Sequence, residues 1–211
     1  MKTLLTALAF ASVLSLSPVQ AAIVNIDISG AATGTTINGI GADFTQSFLG
    51  QSVSGTSLTG APTNPLTLQA SGTITVASFD PGVSPAGNSL LSQPGNLAPL
   101  AVLLDTLADS FDWTMGSASA GSTILASLYD GAGALVGSQS IVMINGYGLY
   151  SLSGLGSFRG IAFSNNNDPS GVRFMNMSYN STAGTVPEPG SLALVALGIL
   201  AAGAARSRRA A

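Results

Sequence analysis

Apolar and polar residues alternate along many stretches of this chain. In Val24-Asn25-Ile26-Asp27-Ile28-Ser29 the even positions are apolar and the odd ones polar. Leu66, Leu68 and Ala70 share a face opposite Thr67 and Gln69, and Ile74 and Val76 alternate with Thr73 and Thr75. Phe111, Trp113 and Met115 point one way while Asp112 and Thr114 point the other. Further runs cover Thr123–Tyr129, Leu135–Ile144, Tyr147–Leu152, Arg159–Ser164 and Val172–Tyr179. A period of two is the mark of a half-buried strand. The strands follow one another at intervals of about 10 residues with Gly and Asn between them, the spacing of an antiparallel sandwich. Asp130-Gly131-Ala132-Gly133 and Asn145-Gly146 supply turn residues that tolerate positive φ. The pattern predicts an all-β fold, an antiparallel β-sandwich over residues 22–183. Two loops, Gly50–Asn64 and Pro81–Pro99, are long for a compact domain. Leu100, Leu103, Leu104 and Leu107 have helical spacing and predict one short helix after the second loop.

The ends follow different rules. Met1-Lys2-Thr3 is a short positive start, Leu4–Leu16 an apolar run, and Ser17-Pro18 a helix break. Small residues at Val19-Gln20-Ala21 predict a signal peptide over residues 1–21, cut by signal peptidase after Ala21, or one residue later after Ala22. Residues 184–211 hold three parts in order. Val186-Pro187-Glu188-Pro189 is forced into an extended form by its prolines. An uncharged apolar stretch from Leu192 to Ala205 follows, with Ser191 as its N-cap, and Arg206, Arg208 and Arg209 close it as a basic stop. The apolar stretch predicts a single hydrophobic helix at the short limit for a bilayer span. The arginines would keep the cytoplasmic side, leaving the domain on the outer side.

Val186-Pro187-Glu188-Pro189 with an apolar helix and a basic end resembles the PEP-CTERM sorting signal of Gram-negative bacteria. The resemblance implies recognition by an exosortase, a membrane-embedded cysteine peptidase that cleaves near the Pro-Glu-Pro motif. It also implies a life history: export, transient anchoring in the cytoplasmic membrane, then placement at the cell surface or in an extracellular matrix tied to exopolysaccharide and biofilm. A second resemblance covers roughly residues 111–179. Tyr129-Asp130-Gly131-Ala132-Gly133-Ala134-Leu135-Val136-Gly137 resembles the strand–turn–strand signature of jelly-roll domains found among such proteins. Phe174-Met175-Asn176-Met177-Ser178-Tyr179 resembles their last strand, with Met175 where the acidic residue would stand.

Charge and composition narrow the chemistry. Between the two ends the chain holds eight Asp against Arg159 and Arg173, a net charge of −6, which opposes phosphate backbones and argues against a nucleic-acid partner. With no Cys there is neither a disulfide framework nor thiol chemistry. With no His, the Ser–His–Asp and Cys–His nucleophiles and His-based zinc sites fall away. Asp109 and Asp112 are the closest carboxylates but stand three apart on a strand, facing opposite ways. No catalytic residue is assigned, and the chain reads as non-catalytic. Asn165-Asn166-Asn167-Asp168 joins two predicted strands, and Asn165, Asn167 and Asp168 offer hard oxygen ligands for calcium, although Asn and Asp also favour turns for backbone reasons alone. Asp43, Asp80 and Asp130 are weaker sites of the same kind. Trp113, Tyr147 and Tyr150 could stack on sugars but fit a core better. The leading reading is an exported surface or matrix protein with affinity for polysaccharide or protein. The second is a lectin-like carbohydrate-binding module that uses calcium, marked by a concave row of exposed aromatics. A carboxylate-only hydrolase ranks third.

Overall fold

Thirteen strands carry the described part of the chain. The computed structural model describes residues 21–54, 57–59, 65–78, 88–92, 99–117, 121–165 and 173–182. In order the strands are β1 (Ala22–Ile26), β2 (Ala42–Thr45), β3 (Ser47–Leu49), β4 (Ser52–Ser54), β5 (Ser57–Thr59), β6 (Thr67–Ser71) and β7 (Ile74–Ser78). They continue as β8 (Asn88–Ser92), β9 (Leu100–Ser117), β10 (Thr123–Tyr129), β11 (Leu135–Val142), β12 (Gly146–Asn165) and β13 (Arg173–Ser181). Nine of them form one antiparallel sheet along the path β11-β10-β12-β9-β13-β8-β7, with β1 added to β13 and β2 to β9.

That sheet becomes a sandwich because β9 and β12 fold over together. In their shared ladder Leu100 opposes Phe163, while Trp113 opposes Tyr150. From Leu100 to Trp113 a straight strand would span ~43 Å at ~3.3 Å per residue. Yet the rings of Trp113 and Phe163 lie 5.1 Å apart. The ladder therefore doubles back. Its register slips between Ser153 and Phe158 and again between Phe158 and Gly160, where Gly154 (φ 73°) and Gly156 (φ 101°) take backbone angles that side chains disfavour. Bends of this kind let one strand serve two layers. Arg159 Nε donates to the Leu104 carbonyl at 3.1 Å and Thr182 N–H to the Leu107 carbonyl at 2.7 Å, which fixes the corner.

One layer holds β2, the first part of β9, the last part of β12, β10 and β11. The other holds the first part of β12, the last part of β9, β13, β1, β8 and β7. Phe111, Trp113, Leu152, Phe158, Phe163 and Tyr179 are all but fully buried between them. The antiparallel sandwich read from the alternation is the fold of the chain.

The expected helix at Leu100–Leu107 is instead the start of β9. Leu100, Ala101, Val102 and Leu104 are all buried, because the outer face of this layer is covered as well. The strands β3, β5 and β6 fold across it: Phe48 and Leu66 pack with Ala101, Tyr129 and Ala162 in a second cluster, and Leu58, Leu68 and Leu103 flank it. A strand buried on both faces loses its alternation, and a short apolar run then reads equally as helix. The long loop expected at Gly50–Asn64 contains the hairpin of β4 and β5, tied to the layer by Leu58 N–H on Ser164 Oγ at 3.0 Å. The two strands expected at Tyr147–Leu152 and Arg159–Ser164 are one, β12.

Candidate functional site

The second layer leaves its outer face uncovered among the described residues, and that face gathers polar side chains. Direct opposition across an antiparallel ladder puts residues on one side of the sheet. Asp112 opposes Ser151 on β12 and Ser178 on β13, and Ser178 opposes Asn25 on β1. One row, Asn25–Ser178–Asp112–Ser151, thus crosses four strands. Ser110 opposes Ser153 and Asn180 in the next row. Asp112, Ser151, Asn25 and Ser153 are exposed.

Asn176 joins this face through a distortion. β13 slips register against β9 between Met175 and Ser178. Asn176 there has φ 50°, and no other non-glycine described has positive φ. A bulge inserts one unpaired residue and re-aims its side chain. The Asn176 amide reaches Thr114 Oγ1 at 3.5 Å, which places it beside the Asp112 row. Asn is among the side chains that tolerate this conformation, but its cost must be met by the surrounding packing. The face offers the Asp112 carboxylate, the amides of Asn25, Asn176 and Asn180, and several hydroxyls, with Ile23 and Leu149 exposed among them. Such a set can exchange hydrogen bonds with vicinal hydroxyl groups. Asp112 appeared in the sequence as a solvated strand position, and the αL setting of Asn176 was not foreseen. An Asn inside an otherwise strand-forming run was the available signal, since Asn is depleted there.

The sequence-derived candidates fall elsewhere. Asp109 and Asp112 are both exposed, Asp109 within the register shift at Ala108–Ser110 and Asp112 beyond it. Asp130 Oδ1 accepts from the N–H groups of Ala132 (2.8 Å) and Ala134 (2.9 Å), so it closes the β10–β11 turn. Asp43 Oδ1 accepts from Gly39 N–H at 3.0 Å. Asp27 caps Ser29: the Ser29 hydroxyl, then its N–H, hold the carboxyl below its ordinary value. Asn165 is the last residue of β12, opposite Ile124, while Asn167, Asp168 and Asp80 lie outside the described residues. Among the described residues no three metal-binding side chains of the His, Cys, Asp and Glu types come together.

Of the aromatics, Trp113 is buried and Tyr150 stacks on it at 5.8 Å inside the sandwich. Tyr147 is half-buried against Gly116, where a Cβ would lie 2.4 Å from its ring. No concave aromatic row of the kind a lectin would show is present among the described residues.

The segment expected to be a signal peptide lies outside the described residues up to residue 20; of the two expected cleavage residues, Ala21 is exposed and Ala22 opens β1. The sorting residues Val186, Pro187, Glu188 and Pro189, the hydrophobic helix expected after them, and Arg206, Arg208 and Arg209 lie outside the described residues. Among the described residues no helix is long and apolar enough to cross a membrane.

Residues 185–209 match the PEP-CTERM protein-sorting motif. No curated protein matches the chain. Among solved structures the chain is similar to a family 29 carbohydrate binding module at 12% identity, over 62% of this chain and 91% of the module, with a TM-score of 0.31. It is similar to the C-terminal family 22 carbohydrate binding module of Clostridium thermocellum Xyn10B at 13% identity, over 54% and 84% of the two chains, with a TM-score of 0.31. The enzymatically active domain of bacteriophage CBA120 tailspike protein 4 is 16% identical over 64% of this chain and 20% of its own, with a TM-score of 0.34. Likenesses of this size assign no ligand and no activity to the chain.

Proposed function

Because the chain carries a PEP-CTERM sorting motif and is thereby marked as an exported protein held briefly at the membrane, we propose that it is a non-catalytic component of the cell surface or extracellular matrix. On this reading the outer face around Asp112 and Asn176 associates with exopolysaccharide. The observation that supports it most is the Asn25–Ser178–Asp112–Ser151 row with Asn176 beside it. This face is rich in hydrogen-bonding groups, with Leu149 exposed among them and the half-buried ring of Tyr147 over Gly116 at one end. A face of this kind would bind weakly per site and gain strength from many contacts along a polymer.

The test is retention of the mature protein on immobilised polysaccharide from the producing organism, alongside a glycan array. Wild type should be retained, and Asp112→Ala and Asn176→Gly should each weaken retention several-fold while the melting temperature stays within a few degrees. Equal retention of both variants would move the site elsewhere, and blank results on every glycan would end the polysaccharide reading. Repeating the measurement in EDTA separates the calcium-dependent alternative, which predicts loss of binding on chelation.

A further inference from the structure

We propose that the side of the sandwich formed by β11 and the first half of β12 is an interface between two copies of this chain, with β11 pairing antiparallel to itself across a two-fold axis.

Two strand edges meet on that side. β11 closes one layer and pairs, among the described residues, with β10 alone. Residues 146–153 of β12 close the other layer and pair with β9 alone. Exposed edges are usually guarded by charge, proline or brevity, because their unpaired N–H and C=O groups template further pairing. Among the described residues the other edges are guarded: at β7, Gly34 N–H meets the Val76 carbonyl at 2.7 Å and Val76 N–H the Thr35 carbonyl at 2.9 Å. β2 is four residues long, and Gly39 N–H on Asp43 and Phe44 N–H on Asn38 hold the preceding loop against it. β1 is five residues long and runs directly into Asp27. From Gly131 to Phe158 there is neither a charged residue nor a proline.

Exposed apolar side chains gather at this edge as well. Val142 (63% exposed), Leu135 (56%) and Ile144 (52%) stand on or just beyond β11, and Leu149 (86%) stands on the outer face of the β12 edge, opposite Thr114. From Gly131 to Phe158 this side is uncharged and partly apolar.

A second copy fits it because β11 is close to its own reverse. Leu135-Val136-Gly137-Ser138-Gln139-Ser140-Ile141-Val142 has apolar ends around a small polar centre. Two-fold antiparallel pairing centred on Gln139 sets Ser138 against Ser140 of the second copy, and Gly137 against its Ile141, with the bulge at Val136 bounding the paired stretch. Such an interface is isologous, the same patch meeting itself. Charge points the same way. Each domain carries about six net negative charges, so two copies approach more easily through a side that has none, and added salt should favour the pair by screening the remainder.

The absence of cysteine makes the test direct. Gln139→Cys, which meets itself on the axis, and the double variant Ser138→Cys with Ser140→Cys, whose cysteines meet across it, are made in the full chain, produced in its own cells and mildly oxidised, with exposed Thr36→Cys as control. A disulfide needs Cα atoms roughly 4.4–6.8 Å apart, the separation of opposed residues in a ladder. At least one of the two should give disulfide-linked dimer several-fold above Thr36→Cys. Adding Val142→Lys to that variant should remove the excess without lowering its melting temperature. Dimer no greater than the control in both overturns the proposal. So does a yield indifferent to Val142→Lys, or a cross-link to a chain of different mass.

Discussion

At the corner where β10 turns into β11, three neighbouring residues bind two parts of the fold. Asp130 accepts two turn N–H groups, and Gly133, at φ 85°, brings its carbonyl to Leu66 N–H at 2.8 Å. A Cβ on Gly133 would sit 1.7 Å from the Leu66 carbonyl oxygen, a clash with backbone that no side-chain rotation relieves. The αL setting alone costs an alanine ~1–2 kcal/mol, and losing the seam to Leu66 adds roughly 1 kcal/mol. Gly133→Ala should therefore lower stability by about 2–3 kcal/mol in urea unfolding. Tyr129 gives a pH signature. Burial pushes its phenol above the ordinary value of 10.0, while hydrogen bonds with the Ser127 and Gln51 side chains pull the other way. Because the folded value is the higher one, the unfolded chain loses its proton first as pH rises. Stability is then intact below pH ~10 and falls above it. Tyr129→Phe should lose ~1 kcal/mol at neutral pH from the missing hydrogen bonds. It should also show a shallower alkaline decline than wild type in melts from pH 9 to 11, and identical slopes would contradict the assignment.

At the scale of elements, β3, β5 and β6 act as a cover for one layer. Phe48 is buried and meets Tyr129 edge-on at 6.1 Å, and Gly160 makes room for it: a Cβ there would lie 3.2 Å from the Phe48 ring. Phe48→Ala should cost ~3–5 kcal/mol. Because its cluster is separate from the main core, the loss should show first as faster proteolysis within residues 49–66, before global unfolding. Simultaneous cleavage throughout the chain would mean that the cover and core are one unit. This cover also explains what the sequence concealed. Val24–Ile28, Phe111–Met115 and Thr123–Tyr129 each have one wet face, so their alternation announced strands directly. Leu100–Leu104 lies between two cores, and its unbroken apolar run carries no period. The fold-over of β9 and β12 was equally hidden, since Gly154 and Gly156 read as ordinary turn residues until the ladder register shows one strand passing through them. The candidate site was less legible still. Asp112, Ser151, Ser178 and Asn25 belong to four strands, and only their register makes them a row.

For the whole molecule, the decisive relation is between the two ends of the folded domain. Ala22 opposes Ser181, so the segment that precedes β1 and the segment that leads to the sorting motif leave the sandwich side by side. Cleavage after Ala21 leaves this pairing whole, whereas cleavage after Ala22 removes its first rung. Thr182 N–H is bound to the Leu107 carbonyl, which puts this exit at the corner where the layers fold over. From Thr182 to Pro187 five residue steps reach at most ~17 Å, however they are arranged. If the sorting motif is cut near Pro187 by a membrane-embedded peptidase, as its resemblance implies, that enzyme must work within this distance of the folded corner. Two consequences follow, both readable as mobility on a gel in the producing cells. Replacing Pro187, Glu188 and Pro189 by alanine should leave the chain unprocessed in the membrane fraction, and a processed product would dissociate the motif from cleavage. Deleting Ala183–Thr185 should slow processing severalfold, because it draws the corner onto the enzyme, while inserting three Gly-Ser residues there should have no effect. If the deletion is processed at the wild-type rate, the domain must be unfolded or peeled at β13 when the peptidase acts. The Thr182–Leu107 bond would then be made only after release.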